Sequence, residues 1–155
     1  LPCVICLNEL DGYRMAQVKP KKDSDRSYGK VEILRPTCNL DTVRDGRGGI
    51  FTWVPPEPIV EFNMLYFRPG KTRGFHYHPH FIEYLLVADG SGVLVTREDP
   101  ENSECEEFIH LSKGVCTRTE TNVYHTVYAI TDMTLIAMLT HRWDHSDPPI
   151  IRVDN

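Results

Sequence analysis

The sequence lacks the features that mark several large protein classes. Its 155 residues carry a net charge of −5 and contain no basic stripe, so we expect no nucleic-acid partner. No apolar run approaches the length of a transmembrane helix, and the N-terminus shows no signal-peptide pattern, so we expect no membrane partner. Helical periodicity is almost absent, which argues against a helical fold.

Cysteine is present at five positions but lacks the paired spacing of a structural zinc site. Cys3 and Cys6 form a C-x-x-C pair, and no second pair exists to complete four ligands. An odd number of cysteines, in a chain large enough to fold without crosslinks, favours reduced thiols. We therefore expect a cytoplasmic protein.

The chain does contain many short strand patterns separated by glycine and proline turns, together with 41% hydrophobic residues. Residues 1–30 are weakly patterned and predict an N-terminal extension, whereas residues 31–155 predict one domain. The pattern indicates an all-β sandwich or jelly roll. The predicted strands are Val31–Thr37, Ile50–Val54, Ile59–Phe67, Gly74–His78, Glu83–Ala88, Val93–Arg97, Glu107–Leu111, Val115–Thr119, Tyr124–Ile130 and Met133–His141.

One segment, from Gly70 to Gly90, combines two histidines and a glutamate at fixed spacing. Five residues separate Gly70 from His76-x-His78, four more lead to Glu83, and six precede Gly90. Histidines one residue apart on a strand project from the same face. A turn after His78 would bring a second strand back beside the first and place Glu83 against both imidazoles. Two imidazoles and a carboxylate suit Zn, Fe, Mn or Ni.

A second segment supplies a third histidine. Its spacing, and that of the first segment, resemble the two motifs of the cupin superfamily, and Gly114 and His125 occupy matching positions. Glu120, Asn122 and Ala129 replace the proline, glycine and asparagine of that motif, and asparagine reaches positive φ more easily than most residues. The resemblance implies a cupin jelly-roll (double-stranded β-helix) barrel. It also implies a divalent metal, zinc being favoured, with four ligands: His76, His78, Glu83 and His125.

Three further stretches resemble cupins that act on nucleotide-linked sugars. Residues 69–78 resemble the Arg-Gly-x-His-x-His element of nucleotide-sugar epimerases and 3,4-ketoisomerases. Residues 45–51 resemble part of the dTDP-4-dehydrorhamnose 3,5-epimerases, and residues 143–152 resemble the tail of the ketoisomerases. Glu83 keeps the carboxylate that metal-free ketoisomerases replace, and in this the chain resembles the zinc-binding cupin domain of capsular-polysaccharide epimerases.

The resemblance implies epimerisation or 3,4-keto migration of a 4-keto-6-deoxyhexose through an enolate. A bound metal would stabilise the enolate oxygen, and His80, Tyr77, Tyr124 or Tyr128 would then serve as base. Without metal, His76 or His78 is the natural base, so the two uses of these histidines exclude each other. The predicted catalytic residues are His76, His78, Arg73, Lys71 and Tyr124, and the predicted substrate-binding residues are Arg73, Arg47 and Tyr77.

Two other functions fit the same ligand set. A non-haem iron dioxygenase would use the four ligands with open positions for O₂ and substrate. A non-catalytic cupin would bind a sugar or metabolite without turnover, which the departures at Glu120 and Ala129 favour.

The alternation of apolar residues on one predicted strand also bears on oligomeric state. If Glu83 points into the barrel, Leu85 and Val87 follow it, while the apolar Tyr84 and Leu86 face outward. A second subunit is the simplest cover for that outer face, so we expect a homodimer.

Overall fold

The computed structural model describes residues 30–36, 43–100, 102 and 104–153. Those residues form twelve β-strands and no helix, so none of them belongs to a helix that could cross a membrane. The predicted extension, residues 1–30, lies outside the described part except for its last residue. The strands are β1 Val31–Leu34, β2 Val43–Asp45, β3 Gly48–Ile50, β4 Glu61–Phe67, β5 Thr72–Tyr77, β6 Glu83–Asp89, β7 Ser91–Arg97, β8 Glu107–Ser112, β9 Cys116–Thr119, β10 Tyr124–Ala129, β11 Met133–Leu139 and β12 Ile151–Arg152.

Ten of these strands form two five-stranded antiparallel sheets. The first has the order β1-β9-β6-β11-β4 and the second has the order β12-β5-β10-β7-β8, while β2 and β3 form a separate hairpin. Side chains from both sheets build one apolar core between them. The prediction of an all-β jelly roll is confirmed. The buried core residues are Phe67, Leu85, Val87, Leu94, Leu111, Val127, Ala129, Met133, Leu135 and Ala137.

Alternation along the strands decides which side chains enter this core. On β6, Leu85 and Val87 are buried in the core as predicted. They follow Glu83 at intervals of two, so the carboxylate also faces the interior. On β11, every second residue from Met133 to Leu139 is buried in the same way.

The two strands of the first motif lie in different sheets. β5 belongs to the second sheet and β6 to the first, so the predicted return of Glu83 on a strand beside His78 is wrong. The turn at residues 79–82 instead crosses from one sheet to the other. Glu83 therefore reaches the histidines from across the barrel, which a jelly roll allows because its two sheets face each other.

A bulge in β5 controls which residues of that strand face inward. β5 pairs His76 with His125, but the next pair is Gly74 with Thr126, so Phe75 is the extra residue. Gly74 has φ 128° and Phe75 has φ 58°. A Cβ at Gly74 would lie 2.6 Å from the carbonyl oxygen of His125, so only glycine permits this approach of the two strands.

The sequence prediction failed at two places outside the main sheets. The predicted strand Ile50–Val54 is wrong beyond Ile50, because the chain forms the short β2–β3 hairpin and then runs on as irregular structure to β4. The two-residue strand β12 was not predicted, and it pairs with Tyr77 and His76 of β5.

A hydrogen-bonded ion pair fastens the irregular segment before β4 to the outside of the first sheet. The Glu57 carboxylate accepts hydrogen bonds from Tyr84 Oη and from the guanidinium of Arg118, whose Nε lies 3.3 Å from it. Tyr84 is completely buried, and burial raises its pKa to about 12. Arg118 also lies 3.0 Å from Glu120. The outer face of β6 is therefore covered at Tyr84 by the chain itself.

Among the described residues, the largest exposed apolar stripe lies instead along β4, the last strand of the first sheet. Phe62 and Tyr66 are 74% and 67% exposed, and Val60 and Met64 lie on the same face. An edge strand also offers backbone groups that another chain can pair with. The expected homodimer stays a prediction, and β4 is the surface we expect it to use.

The contacts of Glu57 with Tyr84 and Arg118 yield a prediction about stability. Replacing Glu57 with glutamine should lower the free energy of unfolding by about 1–3 kcal/mol, because Tyr84 and Arg118 lose a charged partner at a largely buried site. Urea unfolding measures the change. Glu107→Gln is the control, since Glu107 is exposed on β8. Equal stability of the two variants would contradict a stabilising role for the contacts of Glu57.

The β4 stripe yields a prediction about assembly. A charge introduced by Phe62→Asp should convert a dimer into a monomer, because it would be desolvated in an apolar interface. Light scattering coupled to size exclusion reads the mass directly. Phe108→Asp, at an exposed site on β8, is the matched control and should leave the mass unchanged. A wild-type protein that is monomeric at high micromolar concentration would disprove the expectation.

Candidate functional site

Three histidines and one glutamate meet inside one end of the barrel. His76 lies on β5, His78 directly follows that strand, His125 lies opposite His76 on β10, and Glu83 begins β6 in the facing sheet. Nε2 of His76 lies 3.2 Å from Nε2 of His78. Oε2 of Glu83 lies 3.2 Å from Nε2 of His125 and 3.9 Å from Nε2 of His78. The structure thus brings the four predicted metal ligands together.

The three imidazole rings are held by different means. Nδ1 of His125 lies 2.9 Å from the carbonyl oxygen of Val123 and donates a hydrogen bond to it, which leaves Nε2 facing the cluster. The ring of His78 stacks on Phe81, with centroids 4.1 Å apart and planes inclined by 16°. Nδ1 of His78 is buried and has no hydrogen-bond partner among the described residues. Stacking therefore orients His78, a contribution of Phe81 that the sequence did not reveal.

The turn before β10 also fixes this end of the barrel. Asn122 has φ 62°, as the comparison with the glycine of the second motif predicts. Its backbone N–H donates a hydrogen bond of 2.8 Å to the carbonyl oxygen of His78. Asparagine thus fills the conformational role of glycine in this turn, and the turn holds the end of β5 near β10.

Burial keeps the imidazoles of His76 and His78 neutral. Desolvation, reinforced by the nearby His125, lowers the pKa of His76 to about 3. Stronger burial holds the pKa of His78 far below its ordinary value, with His125 and His76 adding to the effect. A neutral imidazole has a free lone pair, and this is the form that binds a metal or accepts a proton.

The cluster fits a divalent cation. Ligand atoms of the three histidines lie within 4.8 Å of one another. A tetrahedral zinc centre separates its ligand atoms by roughly 3.3–3.5 Å, since each bond is about 2.0–2.2 Å long. Nε2 of His125 is buried and has no hydrogen-bond partner among the described residues, and the nearby Glu83 side chain is only 12% exposed. A cation would satisfy both groups.

A small cavity opens beside the cluster. Its volume is about 50 Å³, and its polar lining consists of Arg73, His76, Glu83 and His125. The remaining walls are apolar side chains of both sheets and Gly74. Arg73 is exposed and lies over the ring of Phe67, 5.8 Å from its centroid. Arg73 is thus the predicted substrate-binding residue that the structure places nearest to the histidines.

A larger cleft of about 450 Å³ lies at the opposite end of the barrel. Its lining includes Arg68, Asp89 and Asp132, and it contains no histidine. Because the three clustered histidines could hold a metal ion, we place the candidate site at the histidine end.

The other predicted site residues lie away from the cavity. Tyr77 lies between the inward-facing His76 and His78 and so projects from the opposite face of β5. Tyr124 precedes the inward-facing His125, and its ring packs under Arg97, 4.3 Å from Cζ.

The remaining candidates, Lys71, Arg47, His80 and Tyr128, also lie outside the cavity lining. Lys71 is exposed where β5 begins, at the end of the strand opposite His76, and its carbonyl oxygen accepts a hydrogen bond from Ala129 N–H. Arg47 lies in the turn of the β2–β3 hairpin. His80 is exposed in the crossing loop, and Tyr128 packs edge-on against Phe75 outside the barrel. None of the four lines the cavity.

The sequence reading also missed a charged neighbour of the cluster. Arg152 on β12 pairs with His76 of β5, so both side chains leave the sheet on the same face. A short strand that follows two prolines offers too little alternation to be recognised.

Comparisons with known proteins agree with this fold. The structure resembles a 3,4-ketoisomerase from Helicobacter canadensis with a TM-score of 0.67 and 20% identity, covering 79% of this chain and 90% of that one. It resembles a mutant of the 3,4-ketoisomerase QdtA from Thermoanaerobacterium thermosaccharolyticum, in complex with TDP-4-keto-6-deoxyglucose, with a TM-score of 0.65 and 19% identity. That match covers 79% of this chain and 87% of the other.

A third similar structure is the capsular polysaccharide assembling protein CapF from Staphylococcus aureus. The TM-score is 0.57 and the identity 22%, and the match covers 75% of this chain but 34% of CapF. Together these likenesses confirm the predicted cupin-type fold. No curated protein sequence matches the chain.

A sequence-family comparison covers most of the described domain. Residues 43–148 match the family described as the polysaccharide biosynthesis C-terminal domain. This range spans more than half of the 155 residues and includes all four residues of the cluster. The chain therefore belongs to the polysaccharide biosynthesis C-terminal domain family.

Proposed function

We propose that the protein is an epimerase or 3,4-ketoisomerase of a nucleotide-linked 4-keto-6-deoxyhexose, and that it works through an enolate. The observation that carries this proposal is the small cavity lined by His76, His125, Glu83 and Arg73. Removal of a proton beside a carbonyl needs a base and a group that stabilises the resulting oxyanion. The similar structures include 3,4-ketoisomerases, one of them in complex with a TDP-linked keto sugar, which supports the same chemistry.

Arg73 is the residue we assign to the carbonyl or to the charged part of the substrate. Its guanidinium stays charged at all physiological pH values and can donate two parallel hydrogen bonds to one oxygen-rich group. The bulge at Gly74 and Phe75 makes Arg73 and His76 face the same cavity although an odd number of positions separates them. A sugar lying against Arg73 would present its ring to His76.

His76 is the group we assign to proton transfer. It lines the cavity and is half-buried, whereas His78 is 1% exposed and lies behind it. Burial lowers the pKa of His76 to about 3, so its ring is neutral at pH 7 and carries a free lone pair. The tyrosines considered as bases lie on the outer faces of their strands. Within the cavity, proton transfer therefore falls to His76 or its neighbours in the cluster.

The same cluster is suited to a divalent metal, which we propose is zinc. His76, His78, His125 and Glu83 would hold it, and a bound cation would supply Lewis-acid stabilisation of the enolate oxygen. A nitrogen that binds a cation has no lone pair left for a proton, so His76 acts either as a metal ligand or as the base. Removing the metal separates the two uses.

The first test follows proton exchange with solvent. We expect the C3 or C5 proton signal of a dTDP- or UDP-linked 4-keto-6-deoxy sugar to disappear in D₂O. His76→Asn should slow this exchange by about 10²–10⁴-fold, the usual contribution of a general base. His110→Asn is the control, since His110 lies on β8 outside the cavity.

A chelator distinguishes the two uses of the cluster in this experiment. Exchange that persists after metal removal assigns proton transfer to His76, and exchange that stops assigns a catalytic part to the metal. If neither substrate exchanges with the metal-loaded protein, the proposed function is wrong. Oxygen consumption with iron would then indicate a dioxygenase, and sugar binding without turnover would indicate a binding protein.

The second test measures metal directly. We expect about one divalent ion per chain after dialysis, measured by inductively coupled plasma mass spectrometry. His125→Asn and Glu83→Gln should each lose most of it, because each removes one of four ligands. His110→Asn should retain the ion. Equal metal content in all four proteins would place the ion elsewhere and refute the assignment.

A further inference from the structure

A second arginine lies at the rim of the candidate site, on the short strand β12. Arg152 on β12 pairs directly with His76 on β5, and residues paired in this way have Cα atoms about 4.5–5.5 Å apart. Directly opposed residues project from the same face of a sheet. Because His76 faces the cavity, Arg152 leaves the sheet on the cavity side.

The attachment of β12 makes this placement specific. The N–H of Val153 donates a hydrogen bond of 2.9 Å to the carbonyl oxygen of Phe75, the bulged residue of β5. Ile151 pairs with Tyr77 and is 45% exposed on the outer face, as alternation requires. β12 is therefore bonded to β5 on both sides of His76, and Arg152 is held at the histidine. The effect of its charge on His76 agrees, since Arg152 contributes to the lowered pKa of that ring.

Among the described residues, no carboxylate forms an ion pair with Arg152. The charge of Arg152 does act on the ring of His76. Two other arginines form ion pairs, Arg118 with Glu57 and Arg97 with Glu106. An exposed, unpaired guanidinium beside a buried cluster is suited to an anion that arrives from solvent.

Arg73 provides the second cation of this rim. It lies on the same inward face of β5, three residues before His76, and is also exposed. Arg73 and Arg152 therefore leave the sheet on the same face as His76, Arg73 from β5 itself and Arg152 from the neighbouring strand. The net charge of the whole chain is −5, so this local excess of positive charge is opposite to the overall balance.

We propose that Arg152 binds the diphosphate of the nucleotide-linked substrate at the rim of the site and thereby positions the sugar over His76. This inference rests on the proposed function for the identity of its substrate. A diphosphate offers several oxygen atoms to a planar guanidinium, which binds them bidentately, and lysine cannot reproduce that geometry. Arg152 is a binding residue and takes no part in proton transfer.

Calorimetric titration with dTDP and, separately, UDP tests the inference without any turnover. We expect Arg152→Gln to lower the affinity for the tighter-binding nucleotide about tenfold, or by about 1.4 kcal/mol. Arg152→Lys should lower this affinity less. Binding to Arg152→Gln should also depend less on salt concentration, because one screened charge pair is gone. Arg68→Gln is the matched control: Arg68 is exposed at the opposite end of the barrel, and its variant should bind like the wild type.

Exchange kinetics with the keto sugar separate a binding role from damage to the site. Arg152→Gln should raise KM about tenfold and leave kcat near the wild-type value, since a uniform binding contact is removed. Unchanged nucleotide affinity in this variant would overturn the inference and leave the proposed function standing. Nucleotide binding that weakens as expected, in a protein that exchanges no sugar proton, would support the inference and refute the proposed function. A wild-type protein that binds neither nucleotide refutes both.

Discussion

The close approach of β5 to β10 is the constraint on which the site depends. At Gly74 the two backbones are so near that a Cβ would lie 2.6 Å from the carbonyl oxygen of His125. At the same place one extra residue, Phe75, bulges out of the ladder. The bulge reverses the alternation between Arg73 and His76, so both face the interior. In a regular strand one of them would point to the outside.

The same bulge organises the rim of the barrel. The carbonyl group of Phe75 points away from β10 and accepts the hydrogen bond that attaches β12. The extra residue thus serves two strands at once: it aims the side chains of β5 inward, and it offers an acceptor to the edge strand that carries Arg152. Bulges next to functional sites commonly redirect side chains in this way.

Much of the fold and of the cluster could be predicted from the sequence, for a physical reason. The two histidines of β5, Glu83 and His125 occupy jointly specified positions, and strand alternation alone places Leu85 and Val87 in the core. What failed was the pairing of strands: nothing in the residues after His78 tells whether the chain turns back within one sheet or crosses to the other. Pairing is a long-range property, and both arrangements satisfy the local turn chemistry.

The side of a strand on which a residue lies was equally hard to predict near the bulge. Tyr77 and Tyr124 are adjacent in sequence to cluster histidines, and for that reason alternation turns them away from the cavity. Phe81 and Arg152 were missed because their contributions depend on contacts across elements: the ring of Phe81 stacks on His78, and Arg152 meets His76 through a two-residue strand. Sequence spacing carries no record of such contacts.

The position of Glu83 has a further consequence, because its carboxylate comes from one sheet and the histidines come from the other. An ion held by all four groups would crosslink the two sheets. Its binding free energy would then add to the stability of the folded domain. Substitutions far from the site that loosen the packing between the sheets would then also lower the affinity for the ion. Occupancy of the site would report on the integrity of the whole barrel.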